Sequence, residues 1–385
     1  MSKKTVIYLT EVNDSNKTGL FNSIVTRISK VKGEKKVLNL SYYDTLTIKV
    51  IKSILRVEVK TKKSDFVSDG VEFESFHLPC GLTYYLLLFF GLKKVILRLN
   101  AKSILAYLNS ERIDVRYISA HWGVTAGLLS DQLKLISNYK NSITLHGSDV
   151  HTIPLRNQSI KVLLLDALSR SDVNIFVSNC LLKQASELGY KGNNYQIIYN
   201  AIDSNYFYNK KESGIVTEKK IITAVFVGNL QHIKGADRLC NIISKSDPKL
   251  VRFIVAGDGE YMGELETQGD KTQLLGHIDK NSVRNLLSEA DVLLLPSRNE
   301  GLPLIILEAI AAGVTVLATD VGGIPEVLED KYMISNNQPE EDLIDDFIFK
   351  ISNTDFDRTK NSVFPKQFDI EELTIRENEI YEMLN

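Results

Sequence analysis

Cysteine is nearly missing from this sequence: Cys80, Cys180 and Cys240 are the three in 385 residues. They are odd in number, far apart and without metal-ligand spacing. That excludes a disulfide framework and a cysteine-held zinc, and it favours reduced thiols in a cytoplasm. Proline is scarce at 8 residues, and no low-complexity tract interrupts the chain, so a rigid Pro-rich linker is not expected. No apolar run approaches the ~20 residues needed to cross a bilayer. The apolar stretch Leu78 to Leu92 (LPCGLTYYLLLFFGL) carries no charge over 15 residues. The opening MSKKTVIYLTEV puts two lysines before a short strand pattern broken by Glu11, so no signal peptide is expected. Neither charge sign dominates overall, the formal balance being −2.

What is present is the composition of a globular chain, 44% hydrophobic and 24% charged, at a length that suggests two domains. The small net charge conceals a split. Residues 1–200 carry 27 Lys and Arg against 16 Asp and Glu, and the remainder carries 19 against 32. The first half therefore suits an anionic partner, a membrane surface being one candidate. The uncharged stretch leads into Lys93, Lys94, Arg98 and Lys102, so residues 78–102 read equally as an interfacial helix on an anionic membrane or as a core helix with solvated lysines. Aromatics do not interleave with lysines at a site in the basic half, and no nucleic acid is expected.

Short buried strand patterns alternate with helical ones. Thr5 to Thr10 forms a first strand, a polar loop leads to Gly19, and an amphipathic helix follows through Leu20, Ile24, Val25 and Ile28. Gly19 at that turn lets a ligand approach the backbone. Val37 to Leu40 is a second strand, and Val71 to Leu78 an edge or hairpin piece. RYISAHW and SITLHGSDV are strands ending in His121 and in His146, Gly147, Ser148 and Asp149. Ligand sites of open parallel sheets lie outside the carboxyl ends of strands, where both histidines fall. Residues 203–219 are polar and turn-rich, and the pattern restarts after them. These readings predict an α/β chain with two Rossmann-like doubly wound domains, 1–203 and 204–365, facing across a cleft. A last helix, within 366–385, is expected to pack back on the first domain.

The most informative stretch runs from Asp291 to Glu329. Val292 to Leu295 reads as a strand buried on both faces, Ser297 to Gly301 as a polar turn, and Pro303 as a helix start, where its missing N–H has no helical partner to lose. Gly313 ends that helix. Glu300 sits in the loop and Glu308 inside the helix, with a rise of about 7–8 Å from Pro303 to Glu308. Between them lie the first N–H groups of Gly301, Leu302 and Leu304, a ready anion site. A molecule with hydroxyls at both ends and a diphosphate in the middle fits this spacing. The plain alternative is a strand–loop–helix unit with two solvated glutamates.

With HGSD (146–149), NAIDSNYF (200–207), VGNLQHIKG (227–235), GDGE (257–260), Glu300-x7-Glu308 and VGGIPEVL (321–328) in this order, the chain resembles a retaining glycosyltransferase of the GT-B fold, glycosyltransferase family 4 (glycosyl transferases group 1). The resemblance covers about residues 1–330. It implies a hexosyltransferase whose second domain holds a nucleotide-diphosphate sugar, UDP- or GDP-linked. The first domain would hold a glycan or lipid-linked saccharide acceptor, in bacterial surface polysaccharide synthesis. It assigns Glu308 to the ribose hydroxyls, and Glu300 with the backbone of Gly301 and Leu302 to the donor sugar. Lys234 would meet the diphosphate with the helix N-terminus at Pro303–Leu304 and the backbone near Gly19. His146 would touch the donor sugar near the reacting carbon, and His277 and Ile278 the base through their backbone. His146, Lys234 and Glu300 are then the catalytic candidates. No metal and no cofactor are expected, since a lysine and a helix terminus suffice to stabilise the leaving diphosphate. The one Asp-x-Asp, Asp355-Phe356-Asp357, reads as a helix cap. One departure is Asn229, where the family usually has a second cation, and Thr18-Gly19 replaces a common glycine pair.

Three other readings are open. Gly257, Gly259 and Gly263, with Asp279, loosely match a dinucleotide fingerprint. A sugar-nucleotide epimerase or a catalytically silent GT-B subunit would share the fold.

Overall fold

In the computed structural model, which describes residues 4–13, 19–55, 57–208, 221–354, 356 and 364–385, the apolar runs become strands and the amphipathic runs cover them. Two units result. Unit 1 comprises Met1–Tyr199 and Leu373–Asn385, and unit 2 Asn200–Glu372. Most of the polar stretch 203–219, as well as Thr18, Asp355 and Asp357, lies outside the described residues.

In unit 1 the strands are β1 (Thr5–Thr10), β2 (Glu34–Asp44), β3 (Phe66–Ser68), β4 (Val71–Cys80), β5 (Val115–His121), β6 (Asn141–Leu145), β7 (Val173–Phe176) and β8 (Tyr195–Ile197). They form one sheet in the order β3-β4-β2-β1-β5-β6-β7-β8. Every pair is parallel except the β3–β4 hairpin. Val71–Cys80 is thus a hairpin arm, and β3 takes the edge. Parallel pairing needs crossovers that bury both sheet faces. Ile7, Leu9, Leu38 and Ile118 pack with Ile104, Leu108 and Leu129, and Ile143, Leu145 and Phe176 pack with Leu164, Leu168 and Leu181.

Four helices of unit 1 matter below: α1 (Gly19–Lys30), α2 (Leu46–Ile54), α3 (Leu82–Phe89) and α4 (Lys93–Ser110). The closing helix, Ile370–Met383, enters unit 1 at Leu373. A buried ion pair fixes it there: Arg27 Nη1 of α1 lies 2.5 Å from Glu377 Oε1, and Arg27 Nη2 donates to the carbonyls of Ile198 and Tyr199.

Unit 2 has six parallel strands, β9 (Ile222–Val227), β10 (Val251–Ala256), β11 (Thr272–Gly276), β12 (Val292–Leu295), β13 (Thr315–Thr319) and β14 (Met333–Ile334), in the order β11-β10-β9-β12-β13-β14. Counted within the unit this is 3-2-1-4-5-6, the dinucleotide-fold order, whose switch point lies between the first and fourth strands. Its core joins Ala224, Phe226, Phe253 and Val255 to Leu239, Ile243 and Phe347.

The uncharged stretch departs from the core-helix reading. Not one residue of α3 is buried. Leu82, Leu86, Phe89 and Phe90 are 60%, 49%, 82% and 68% exposed. A helix with apolar residues all round can bury only the side resting on its own domain, here held by Tyr84 and Tyr85, and the rest is left outside.

Candidate active site

The switch point of unit 2 is where the structure brings Lys234 and Glu300 together. The chain leaves β9 through Gly228 and Asn229 into a 3-10 turn, His232–Lys234, and leaves β12 through Pro296 to Gly301. Strands β9 and β12 are hydrogen-bonded neighbours, so the two loops meet. Lys234 Nζ donates to Glu300 Oε2 at 2.7 Å, and Ser297 Oγ donates to Glu300 Oε1 at 2.8 Å. Glu300 is 6% exposed. Both of its oxygens are therefore held.

Glycines let these loops touch. Gly235 has φ +71°, and a Cβ there would lie 2.0 Å from the Pro296 carbonyl oxygen. Gly322 has φ +59°, and a Cβ would lie 1.8 Å from the Glu300 carbonyl oxygen. Gly323 N–H donates to Gly301 O at 2.7 Å. Only a residue without a side chain permits such backbone contact. Gly257 and Gly259 do the same against Gly228 and Leu230, and Asp279 caps a helix through Ser282 N–H. These contacts account for Gly257, Gly259 and Asp279 of the dinucleotide-like pattern, while Gly263 has open space around it; the pattern follows the second strand of its unit rather than the first.

The helix after the loop is Leu304–Ala311, with Pro303 as its extended N-cap. Its first N–H groups have no intrahelical acceptor. Leu302 is buried, and its carbonyl accepts from Asn200 Nδ2 at 3.2 Å; Gly301 is half-buried. Glu308, on the second turn, is half-buried too. Burial pushes its carboxyl up to about 7, partly opposed by Lys280. Asn229 and His277 are exposed, and Ile278 is half-buried after β11. Two other cations near the loop are occupied. Arg298 forms a fork onto both oxygens of Asp237 and also meets Glu340, and Arg238 binds Glu340 and the Pro296 carbonyl.

Unit 1 places the remaining candidates at its own strand ends. Gly19 is the exposed first residue of α1, with open space where a Cβ would be. His146 follows β6, its Nε2 3.3 Å from Nδ1 of His121 at the end of β5. Burial holds both imidazoles neutral, His121 at about 3 and His146 well below its usual value, with Arg27 adding to both. Asp149 fixes the turn by accepting from the N–H groups of Gly123, His146 and Gly147. His146 Nδ1 is buried and has no hydrogen-bond partner. The resemblance pointed to His146 alone. Its partnership with His121 comes from the adjacency of β5 and β6, which two separated strand-end histidines only suggest. Among the described residues no group of three or more His, Cys, Asp or Glu is arranged to hold a metal.

Comparison with known proteins accords with this geometry. Residues 222–352 match the family model Glycosyl transferases group 1. N-acetyl-alpha-D-glucosaminyl L-malate synthase of Bacillus anthracis is 30% identical over 52% of this chain and 54% of its own length. Putative teichuronic acid biosynthesis glycosyltransferase TuaC of Bacillus subtilis is 28% identical over 58% of each chain. The matched region thus spans little more than half the length of these relatives. Among solved structures, Anabaena Alr3699/HepE in complex with UDP has a TM-score of 0.71 at 15% identity, covering 99% of this chain and 100% of that one. The chain therefore has the fold of the GT-B glycosyltransferases, and residues 222–352 of its second unit match the glycosyl transferases group 1 family.

Proposed function

We propose that this chain is a retaining, metal-independent hexosyltransferase. It moves a sugar from a nucleoside diphosphate sugar to a glycan or lipid-linked saccharide acceptor in the synthesis of a bacterial surface polysaccharide. The observation that carries the reading is the Lys234–Glu300 pair at the switch point of unit 2, in front of the Leu304–Ala311 helix. A diphosphate at that helix terminus meets N–H dipoles and one ammonium, which stabilise the negative charge that builds as the sugar–phosphate bond breaks. Glu300 then turns to a sugar hydroxyl, while Glu308 accepts from the ribose. His146 offers its free Nδ1 edge to the donor sugar, and Gly19 leaves its backbone open to the phosphates. His277 and Ile278 line the base, and Asn229 donates one neutral hydrogen bond to the diphosphate. On this reading the donor phosphate receives the acceptor proton and neither glutamate forms a covalent intermediate. The relatives named above, one of them a teichuronic acid glycosyltransferase, and the UDP bound to HepE support the substrate class.

Incubation with UDP- and GDP-sugars and a saccharide acceptor should release free nucleoside diphosphate and form a glycosidic bond of the donor's anomeric configuration, without a metal requirement. Interconversion of the donor alone would favour an epimerase instead, and no donor binding at all a silent subunit.

Glu308 gives a pH signature. A folded-state pKa raised to about 7 means the free protein binds a proton there between about 4.5 and 7 that the unfolded chain does not. Stability therefore declines as pH rises through this window and is level above it. Donor affinity runs the other way, because the ionised carboxylate is the better acceptor for ribose hydroxyls. Donor Kd should fall between pH 6 and 8. Glu308→Gln should abolish that dependence and weaken binding at pH 8 by about 1.5–3 kcal/mol; an unaltered Kd profile by calorimetry would remove Glu308 from the site.

The same proposal places the protein peripherally on the inner face of the cell membrane. No helix among the described residues is long and apolar enough to cross a membrane. The exposed apolar side of α3 is accompanied by Leu46 and Val50 of α2, 79% and 53% exposed, and followed by Lys93, Lys94, Arg98 and Lys102 of α4. Apolar side chains bordered by cations suit an anionic headgroup surface. Sedimentation with phosphatidylglycerol vesicles at low salt should show binding that Phe89→Ser with Phe90→Ser lowers about tenfold or more. Equal binding by wild type and variant would discard this contact.

A further inference from the structure

His121 closes β5 and is 2% exposed, yet the donor chemistry assigns it nothing. Its ring packs on two others. It stacks on Tyr8 of β1, with centroids 5.9 Å and planes 24° apart, and it meets His146 at 5.6 Å and 32°. The backbone leaves neither histidine much latitude. His121 is paired with Thr144 of β6, and Trp122 N–H donates to the Thr144 carbonyl at 2.9 Å, so the ladder runs on past the last residue of β5. The fully buried Asp149 then ties the two outgoing turns together, accepting from the N–H groups of Gly123 and Gly147 at 2.9 and 2.8 Å. Between the rings, His121 Nδ1 and His146 Nε2 stand 3.3 Å apart.

Such a contact holds one proton. Burial disfavours a charge on either ring, so both are neutral. A neutral imidazole has one N–H and one bare nitrogen, and the hydrogen bond at one nitrogen decides the state of the other. Only two arrangements are then open. Were His121 Nδ1 the donor, each ring would be in its Nδ1–H form. With His146 Nε2 as donor, each ring is in its Nε2–H form, which a free neutral histidine prefers. The second arrangement meets both preferences at once. It leaves Nδ1 of His146, which has no hydrogen-bond partner among the described residues, as a bare acceptor. We infer that His121 is a positioning residue for the transferase site: its Nδ1 accepts from His146 Nε2–H and so holds His146 in the tautomer whose Nδ1 accepts from a hydroxyl of the donor sugar. This rests on the glycosyltransferase reading above, in which His146 meets that sugar. In the other tautomer the same edge would be a donor, and the hydroxyl would have to turn round to meet it.

Long-range proton–nitrogen NMR of the full chain, labelled with ¹⁵N-histidine, reads the tautomers directly. Of the six histidine rings, the two identified by their loss in His121→Asn and His146→Asn should each carry the proton on Nε2. A proton on Nδ1 of His146 overturns the proposal. Turnover in the UDP- and GDP-sugar assay above reads the role. His121→Leu fills the space but accepts no hydrogen bond, and should lower kcat about 10–100-fold with the Kd for UDP or GDP unchanged. His121→Asn, whose Oδ1 lies close to where Nδ1 stood, should regain most of that rate. A role in packing alone predicts the reverse, because leucine is the better tolerated in a buried position. Equal kcat in His121→Leu and wild type, or His121→Asn no faster than His121→Leu, overturns the proposal. Should His121→Leu not fold, wild-type kcat in a His121→Asn protein whose His146 proton has moved to Nδ1 overturns it in its place. If wild type transfers no sugar from any donor, the glycosyltransferase reading fails instead, and the spectra still decide the histidine pair.

Discussion

Lys234→Ala should lower turnover at saturating donor by about 10²–10³-fold, the usual loss when one fixed donor to a developing anion is removed. The effect is expected to be large because the arginines described beside the loop are already paired. Asn229, after β9, brings no charge. Beside the loop, Arg298 is forked onto Asp237 and Arg238 onto Glu340. Moving Arg298 toward a diphosphate would strip the half-buried Asp237 of its partner, and moving Arg238 would break its fork on Glu340. Lys234 is differently placed. Its side chain is 33% exposed and its one ionic partner among the described residues is Glu300, a residue the donor sugar is proposed to engage. Lys234→Arg should recover part of the rate, and a steady-state kcat for Lys234→Ala equal to wild type would end the leaving-group role.

The second large effect concerns stability. Arg27→Ala should cost about 3–5 kcal/mol, the range for removing one member of a buried ion pair. Arg27 is 1% exposed, and its guanidinium serves Glu377 and the carbonyls of Ile198 and Tyr199 together. Without it, Glu377 is an uncompensated buried carboxylate, and the helix entering unit 1 at Leu373 loses its anchor. The double variant Arg27→Met with Glu377→Leu removes both charges and should regain most of the loss. Urea denaturation of the three proteins checks this. A single variant within about 0.5 kcal/mol of wild type, the range of ordinary surface changes, would mean that the pair contributes little.

Much of the site could be read locally. Apolar runs bounded by glycine and proline are short-range signals, so Thr5–Thr10, Val292–Leu295 and the Leu304–Ala311 helix stand where the pattern predicts them. The same holds for the loops that carry Lys234, Glu300 and His146, because strand-to-helix turns in a parallel sheet all emerge at the carboxyl edge. The 78–92 stretch could be read two ways, since periodicity does not say what stands opposite a helix.

By itself, then, the sequence determined the alternation of strands and helices, the two-domain α/β class and the order of the loop motifs. These follow from backbone preference and from the period of apolar side chains, which act within a few residues. The tertiary structure alone decided which charges are free and which are bound. Lys234 and Glu300 are 66 positions apart and Arg27 and Glu377 350 apart, and pairing at such separations depends on strand order. The burial that lifts Glu308 to about 7 and the contact of His121 with His146 arise in the same way. Desolvation and partnership are set by neighbours that folding brings from elsewhere in the chain, and strand order chooses those neighbours.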